Sequence, residues 1–385
     1  MKRENSSVSV ESKSGRRSAL SASKHRQTNS YLSLKKLFSF FNWIAVLMMW
    51  GCAATVYINP ATYGKYFSVI GLCFPIFVGI VLFVGFVTLL FQPKMVWIMV
   101  VGLLGCCSSL RDYCPINLSS PPPKNALKVM SYNTMAFNNW AKDENTGDME
   151  VMRYVCSQRP DIACLQEASF RNDDDQRSAL NTIKRYGLHY DWCAIGEGTV
   201  GVASKFPIVK HELLCHSKSN GAVAFFVTPK SQDTIIVVSA HLESMRLSKE
   251  ERSNYNEIVR NPEQVEEIHG KVTLIKKIAT GGEERAHQTD TLIHFLNKHA
   301  NKKLILMGDF NDTPISYAHH SICSRLTDAY RATGNGIGRS FNKDAIYVRI
   351  DNIFCSSHFK PYATRVDDSV PFSDHYPIIG YLKER

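Results

Sequence analysis

Two long runs without a charged side chain constrain this chain before any motif does. Phe38–Ile58 holds 21 residues with only Asn42 strongly polar, and Tyr66–Phe91 is longer still. About 20 apolar residues span the hydrocarbon core of a bilayer, and a soluble core rarely needs runs of that length. Both are predicted to be transmembrane helices. A third segment, Met95–Leu110, has 16 residues. It crosses, dips in or packs on the surface. A membrane region of about three helices is therefore expected over residues 37–110, with the lipid bilayer as its partner.

Charge gives that region a direction. Residues 1–36 carry nine Lys/Arg and two Glu, a net +7, with few large apolar residues, and read as a disordered cytoplasmic tail. Residues 37–123 add +2, so of the chain's +10 only about +1 remains for the soluble part. The high pI is thus no sign of nucleic-acid binding. Lys94 suits a short cytoplasmic turn between the second and third segments. Three crossings would put everything after Leu110 on the non-cytoplasmic side; a third segment that does not cross would return it to the cytoplasm. Ser119-Ser120-Pro121-Pro122-Pro123-Lys124 reads as a stiff tether, giving a linker over 111–124 and a separate domain over 125–385. Seven cysteines follow the membrane region with no C-x-x-C pair. Such unpatterned use favours a reducing setting and pulls against the non-cytoplasmic placement.

Within 125–385, short apolar runs alternate with helical patterns. Strands are predicted at Leu127–Tyr132, Asp161–Leu165, Val200–Ser204, Ala222–Thr228, Thr234–Ser239, Leu304–Met307, Ala345–Phe354, Ala363–Asp367 and Ile378–Leu382. Met149–Ser157 and Glu284–His299 read as helices, and Met245 to about Gly282 as helix and loop. Many short strands, some in hairpins, fit an α/β fold of two packed sheets with helices outside them, and not a doubly wound parallel sheet.

The strands end in polar residues: Asn133, Glu167, His241, Asp309 with Asn311, Asp351, and Asp374 with His375. These are the types that hold a hard cation and a phosphate. Magnesium takes oxygen ligands and keeps several waters, so one or two carboxylates and an amide suffice. Glu167 suits a direct metal carboxylate, and Asn133 a neutral oxygen beside it. A phosphate ester repels nucleophiles, so its oxygens must be neutralised and its water aimed. There is no H-E-x-x-H, Cys/His cluster or Walker loop to support zinc or nucleotide-triphosphatase chemistry. Asp351, among Ile350, Ile353 and Phe354, needs a partner, and His375 is the natural one. His211 and His216 receive no role, and Tyr132 and Trp192 are read as packing.

Ser131-Tyr132-Asn133, Leu165-Gln166-Glu167, Ser239 to Ser244, Gly308-Asp309-Phe310-Asn311, Arg349 to Phe354 and Ser373 to Ile378 occur in the order expected of the endonuclease/exonuclease/phosphatase superfamily, which residues 125–385 resemble. The resemblance implies a four-layer α-β-β-α sandwich of two mixed sheets. It implies that Asn133, Glu167 and Asp374 serve a Mg²⁺ site, with Mn²⁺ a possible substitute, and that Asp309 aims or deprotonates water. It implies further that Asn311 holds the phosphate, His375 contacts it with Asp351 behind, and His241 stands near the leaving oxygen. The substrate would be a phosphate ester: nucleic acid, phospholipid headgroup or sugar phosphate. A catalytically silent scaffold of the same fold should have lost one of these residues, and none is missing. Gly201–Pro207 is shorter than the family's usual strand before Ser-Lys-x-Pro, which puts the local register in question.

Overall fold

The apolar runs fold as helices whose boundaries differ from those expected. A computed structural model describes residues 35–229, 234–245, 268–343 and 347–385. Helix α1 is Lys35–Tyr57, its last turn a 3-10 turn at Thr55–Tyr57. The second run, expected as one span, is two helices, α3 (Tyr66–Leu72) and α4 (Phe74–Phe91), after a short α2 (Pro60–Tyr63). Pro75 accounts for the break, because its ring suits a helix's first turn and not its interior. By length and composition, α1 and α4 can each cross a bilayer. The third run forms α5 (Trp97–Gly105) and α6 (Cys107–Tyr113), a further span only if the bent pair counts as one.

The chain divides into two units. In the first, described over residues 35–51 and 74–106, small residues let helices close. A Cβ on Gly85 would run into Met99, and one on Gly102 into Val46. Asn42, the polar exception in the first run, donates to Thr88 Oγ1 at 2.7 Å, and Trp50 Nε1 donates to the Gly102 carbonyl at 2.9 Å.

The second unit comprises residues 52–73 and 107–385. One of its sheets contains β1 (Leu127–Asn133), β2 (Ile162–Gln166), β3 (His189–Ile195), β4 (Gly198–Ser204), β11 (Phe359–Val366) and β12 (Ile378–Glu384), in the order β11-β12-β1-β2-β4-β3. The other contains β5 (Ile208–His216), β6 (Gly221–Val227), β7 (Ile235–His241), β8 (Leu304–Asp309), β9 (Thr327–Asp328) and β10 (Asp351–Cys355), in the order β5-β6-β7-β8-β10-β9. Val129, Ile162 and Val200 of the first sheet meet Val223, Val237 and Ile305 of the second in one buried core. Helices α7 (Glu150–Ser157) and α8 (Asp173–Arg185) cover the first sheet's outer face, and α9 (Ile268–Lys298) and α10 (Tyr317–Cys323) the second's. A short α11 (Ala329–Thr333) follows β9. This is the expected four-layer sandwich.

Several expectations shift in detail. The helix read from Glu284 begins at Ile268, and the strand read over Ala345–Phe354 is regular only from Asp351, with residues 344–346 outside the described set. β6 and β7 pair antiparallel as a hairpin would, although residues 230–233 of the turn lie outside it too. β4, whose register was in question, pairs residue by residue with both β2 and β3. The stretch read as a tether begins docked: Asn117 Nδ2 donates to the Gly334 carbonyl at 2.6 Å, and Arg349 donates to the Asp112 carbonyl at 3.2 Å.

Among the described residues two strand pairs are parallel, β1–β2 and β7–β8, and they lie centrally in their sheets. β12 runs antiparallel to β1, and β10 antiparallel to β8. The carboxyl ends of β1, β2, β7 and β8 therefore share one edge with the amino ends of β10 and β12.

Candidate active site

That edge gathers residues spread over 243 positions of sequence, from Asn133 to His375 inclusive. Asn133 closes β1, Glu167 follows β2, His241 closes β7, Asp309 closes β8, Asp351 opens β10 and His375 precedes β12. Register makes this specific: Asp309 stands opposite His241 on one side and Asp351 on the other. Gly308 permits the approach, since a Cβ there would overlap the Ala240 carbonyl.

Asn133 Nδ2 donates to Glu167 Oε1 and Asp309 Oδ2, each at 3.1 Å, while its Oδ1 accepts from the Met135 amide at 3.2 Å. One amide thus holds two carboxylates from different sheets. His241 Nε2 lies 3.6 Å from Asp309 Oδ2 and 3.8 Å from Glu167 Oε1. His375 Nε2 lies 3.5 Å from the same Asp309 oxygen, and its Nδ1 is 2.8 Å from Asp351 Oδ2. Asn311 caps Asp309 through its backbone N–H at 2.8 Å and donates its side-chain amide to the Leu242 carbonyl at 2.9 Å. The Asp374 carboxylate is 4.0 Å from Lys343 Nζ and near enough to His375 to help raise it. Tyr132 is fully buried in the outer core of the first sheet, as packing requires, whereas Trp192 is half-buried.

Burial raises Asp351 to about 6, with His375 opposing and Asp309 adding to the rise. Burial alone would lower His375, but Asp351 and Asp309 outweigh it and push it up to about 10. At neutral pH the pair's proton therefore rests on the imidazole, whose Nε2 faces the cluster.

The backbone around the cluster is strained. Glu167 and Asn311 have φ of 52° and 49°, and Met135 to Trp140 form a left-handed turn with φ between 49° and 63°. Such a conformation costs an L-residue about 1–2 kcal/mol. Thr134 and Ala136 anchor the turn to the Gln166 and Glu167 carbonyls at 2.9–3.1 Å, and Phe137 stacks on Phe170 with centroids 5.2 Å apart. The strained turn is thereby stitched to the loop that carries Glu167.

Sequence reasoning missed the supports. Gln166 Nε2 bridges the sheets to Ser239 Oγ at 3.3 Å, and Ser373 Oγ donates to the Asn133 carbonyl at 2.7 Å. Ser340 Oγ accepts from the amides of Ile350 and Asp351 at 2.9 and 3.0 Å. Their signal was adjacency: all but Ser340 sit inside the motifs. A second buried group, His319, Cys323 and Asp328, also has metal-ligand chemistry. There Arg349 already lies 3.0 Å from Asp328, so a guanidinium supplies the counter-charge.

A family model described as the endonuclease/exonuclease/phosphatase family matches residues 130–375, which include every residue of the cluster. The chain belongs to the endonuclease/exonuclease/phosphatase family. It is a hydrolase of phosphoric ester bonds, in a family that generally uses divalent metal ions. Residues 35–113 match a second family model, a domain of unknown function. No curated protein matches the chain. Similar solved structures include an endonuclease/exonuclease/phosphatase from Beutenbergia cavernae (16% identity, 67% of this chain and 72% of that one, TM-score 0.46). The human Nocturnin catalytic domain is also similar (16%, 70% and 96%, TM-score 0.46). So is a Neisseria 3′ phosphatase bound to product DNA hairpin (17%, 68% and 100%, TM-score 0.45).

The family member's cluster fits a hard divalent ion. Glu167, whose side chain is 43% exposed, sits at the mouth while Asp309 is buried. Among the described residues, the basic side chains within ion-pair distance of these two carboxylates are His241 and His375, with no lysine or arginine. Two buried atoms of the set, His241 Nδ1 and Asp351 Oδ1, lack a hydrogen-bond partner. Buried polar groups are rarely left so without a ligand or functional reason.

Proposed function

We propose that the chain is a membrane-anchored, Mg²⁺-dependent phosphoesterase that hydrolyses its substrate by direct attack of water. What carries the reading is Asp309 held between two histidines and tied through Asn133 to Glu167. Glu167 would hold the ion, with Asn133 fixing its carboxylate. When bound, Mg²⁺ supplies charge neutralisation at the phosphoryl and leaving oxygens. Asp309 Oδ2 aims the attacking water and takes its proton. His375, charged and oriented by Asp351, donates Nε2–H to a phosphoryl oxygen as negative charge grows there. His241 stands on the other side of Asp309, placed to give a proton to the leaving oxygen. Asn311 holds the Asp309 loop against Leu242 beside the position a phosphate would take. Asp374 stands beside Lys343 and helps to raise His375.

A cleft of about 420 Å³ adjoins the cluster, lined by Asn138, Asn342 and Ser373, by Lys343 and Asp368, and by Val370 and Pro371. One lysine offset by one aspartate on half-apolar walls gives room for the rest of a phosphoester substrate beside the cluster.

The catalytic domain lies on the non-cytoplasmic side in this reading. Residues 58–73, between α1 and α4, and residues 107–119, after α5, both pack on the same domain. Two segments on one domain share one side of the bilayer, so the chain must cross an even number of times between them. With α4 crossing once, the return falls to residues 92–106, a short segment because α6 is docked on the domain.

The test is the detergent-solubilised full chain on DNA, RNA, phospholipid and sugar-phosphate substrates, with Mg²⁺ and with chelator. Glu167→Gln and Asp309→Asn should each reduce kcat by about 10²-fold or more on whichever substrate is turned over. Wild-type protein inert across the whole panel would sink the reading.

A further inference from the structure

Residues 58–73 lie between two helices able to cross a bilayer, yet with the last turns of α1 they belong to the same unit as the active site. The strap they form lies along α9 and α10. Asn59 Nδ2 donates to Asp290 Oδ2 at 2.9 Å and to Tyr317 Oη at 3.1 Å. Lys65 Nζ reaches Thr280 Oγ1 at 3.2 Å. The fit is close enough to need glycines on both partners. A Cβ at Gly71 would meet the Ile315 carbonyl and Thr55 Oγ1, both at 2.9 Å, and one at Gly282 would overlap Ser68 Oγ.

Beneath the strap lies Arg285, 2% exposed and among the largest fully enclosed side chains of the chain. Its Nε donates to Asp312 Oδ2 at 2.9 Å, and its Nη1 to the Glu243 carbonyl at 2.9 Å. Asp312 lies three residues beyond Asp309, and Glu243 two beyond His241. The guanidinium therefore ties together the two loops that carry the attacking and leaving sides of the site. Those loops are also joined directly, by the Leu242 N–H to the Asp309 carbonyl at 2.9 Å. Between strap and guanidinium there remains a cavity of about 10 Å³, room for one water at most.

A buried ion pair depends on its surroundings. Attraction between Arg285 and Asp312 is strong while water is kept away and falls steeply once water reaches it. The strap excludes that water.

We propose that the strap is a working part of the catalytic unit, and that Arg285 beneath it is a positioning residue that sets His241 against Asp309. The proposal rests on the phosphoesterase reading of the cluster. It also gives a task to part of the region matched by the family of unknown function: residues 58–73 brace the active site as well as connecting two membrane helices. Anchorage and catalytic geometry are then coupled, because the strap is pinned at both ends by helices in the bilayer. An error of about 1 Å in catalytic positioning can reduce rate by about 10²-fold.

Two variants of the full chain in lipid nanodiscs test this, with Gly79→Ala, where a Cβ meets open space, as control. One is the strap variant Asn59→Ala with Gly71→Val; the other is Arg285→Lys, which keeps the charge and loses the fork. Each is expected to lower kcat about tenfold or more with KM within about twofold. Each should also speed amide hydrogen exchange over residues 241–245 and 309–315. Either variant leaving both kcat and that exchange at wild-type values overturns the proposal. The exchange arm needs no substrate, so a wild-type chain inert on every phosphoester would reject the phosphoesterase reading while exchange still tests the brace. A variant that loses its cooperative melt is replaced by Asp312→Asn, which cuts the same link from the other side and is held to the same two outcomes.

Discussion

Asp351 is the residue whose environment says most about the chemistry. It is fully buried, one oxygen is on His375 and the other has no partner. Such a carboxylate is stable only as a partner to a protonated imidazole, and its burden falls on His375. Asp351→Asn keeps the shape and removes the charge, so the imidazole loses both its orientation and its reason to be charged. We expect kcat to fall by about 10²–10⁴-fold, with thermal stability changed little. Steady-state kinetics at pH 7.5 decide it; activity within threefold of wild type would show that His375 works without this support.

At the scale of elements, strain and buried charge both leave testable marks. Ala136 sits partly buried in the left-handed turn with φ of 50°. Glycine adopts that conformation freely, although it adds entropy to the unfolded chain. Ala136→Gly should stabilise the catalytic unit by about 1 kcal/mol, a rise of about 2–4 °C in Tm. A calorimetric Tm that stays put or falls would mean the turn is relaxed. In the second sheet, β9, β10 and α10 meet at His319, Asp328 and Arg349. Burial would lower His319, but the Cys323 sulfur and the Asp328 carboxylate at 3.0 Å raise it to about 10. A pKa raised on folding adds stability that is complete below about 6.5, the unfolded value. That stability is lost as pH climbs through about 10. The Tm deficit of His319→Gln should accordingly be greatest below pH 6.5 and should shrink towards pH 10. A deficit independent of pH would assign His319 a packing role alone.

For the whole molecule the decisive question is which face of the bilayer the sandwich occupies. The proposed topology keeps the basic tail in the cytoplasm and takes the chain across the bilayer three times, with residues 58–73 and 107–119 docked on one domain. A reporter fused after Arg385 should therefore be active only on the non-cytoplasmic side. A signal confined to a cytoplasmic reporter would mean that the third apolar segment does not cross. Cys156, Cys164 and Cys355, in the cores, are free thiols. Burial raises those three thiols to about 12. This explains how an unpatterned set of cysteines can sit in this fold without bridges.

By itself the sequence determined which strands are buried and what stands at their ends. A continuous run such as Leu304–Met307 can be satisfied only inside a sheet, and Asp309 after it must then lie on the sheet's rim. It also determined that α1 and α4 are apolar enough for a bilayer. The tertiary structure decided what periodicity cannot express. Strand direction brought Asp351 and His375 to the edge reached by Asn133, Glu167, His241 and Asp309. Strands such as His189–Ile195 and Ile208–His216 went unread because they lie at or near sheet edges and carry polar residues. The break at Cys73 and the docking of Tyr66–Leu72 on α9 were equally hidden. Hydropathy registers the absence of charge, and a helix packed on protein can be as apolar as one packed in lipid.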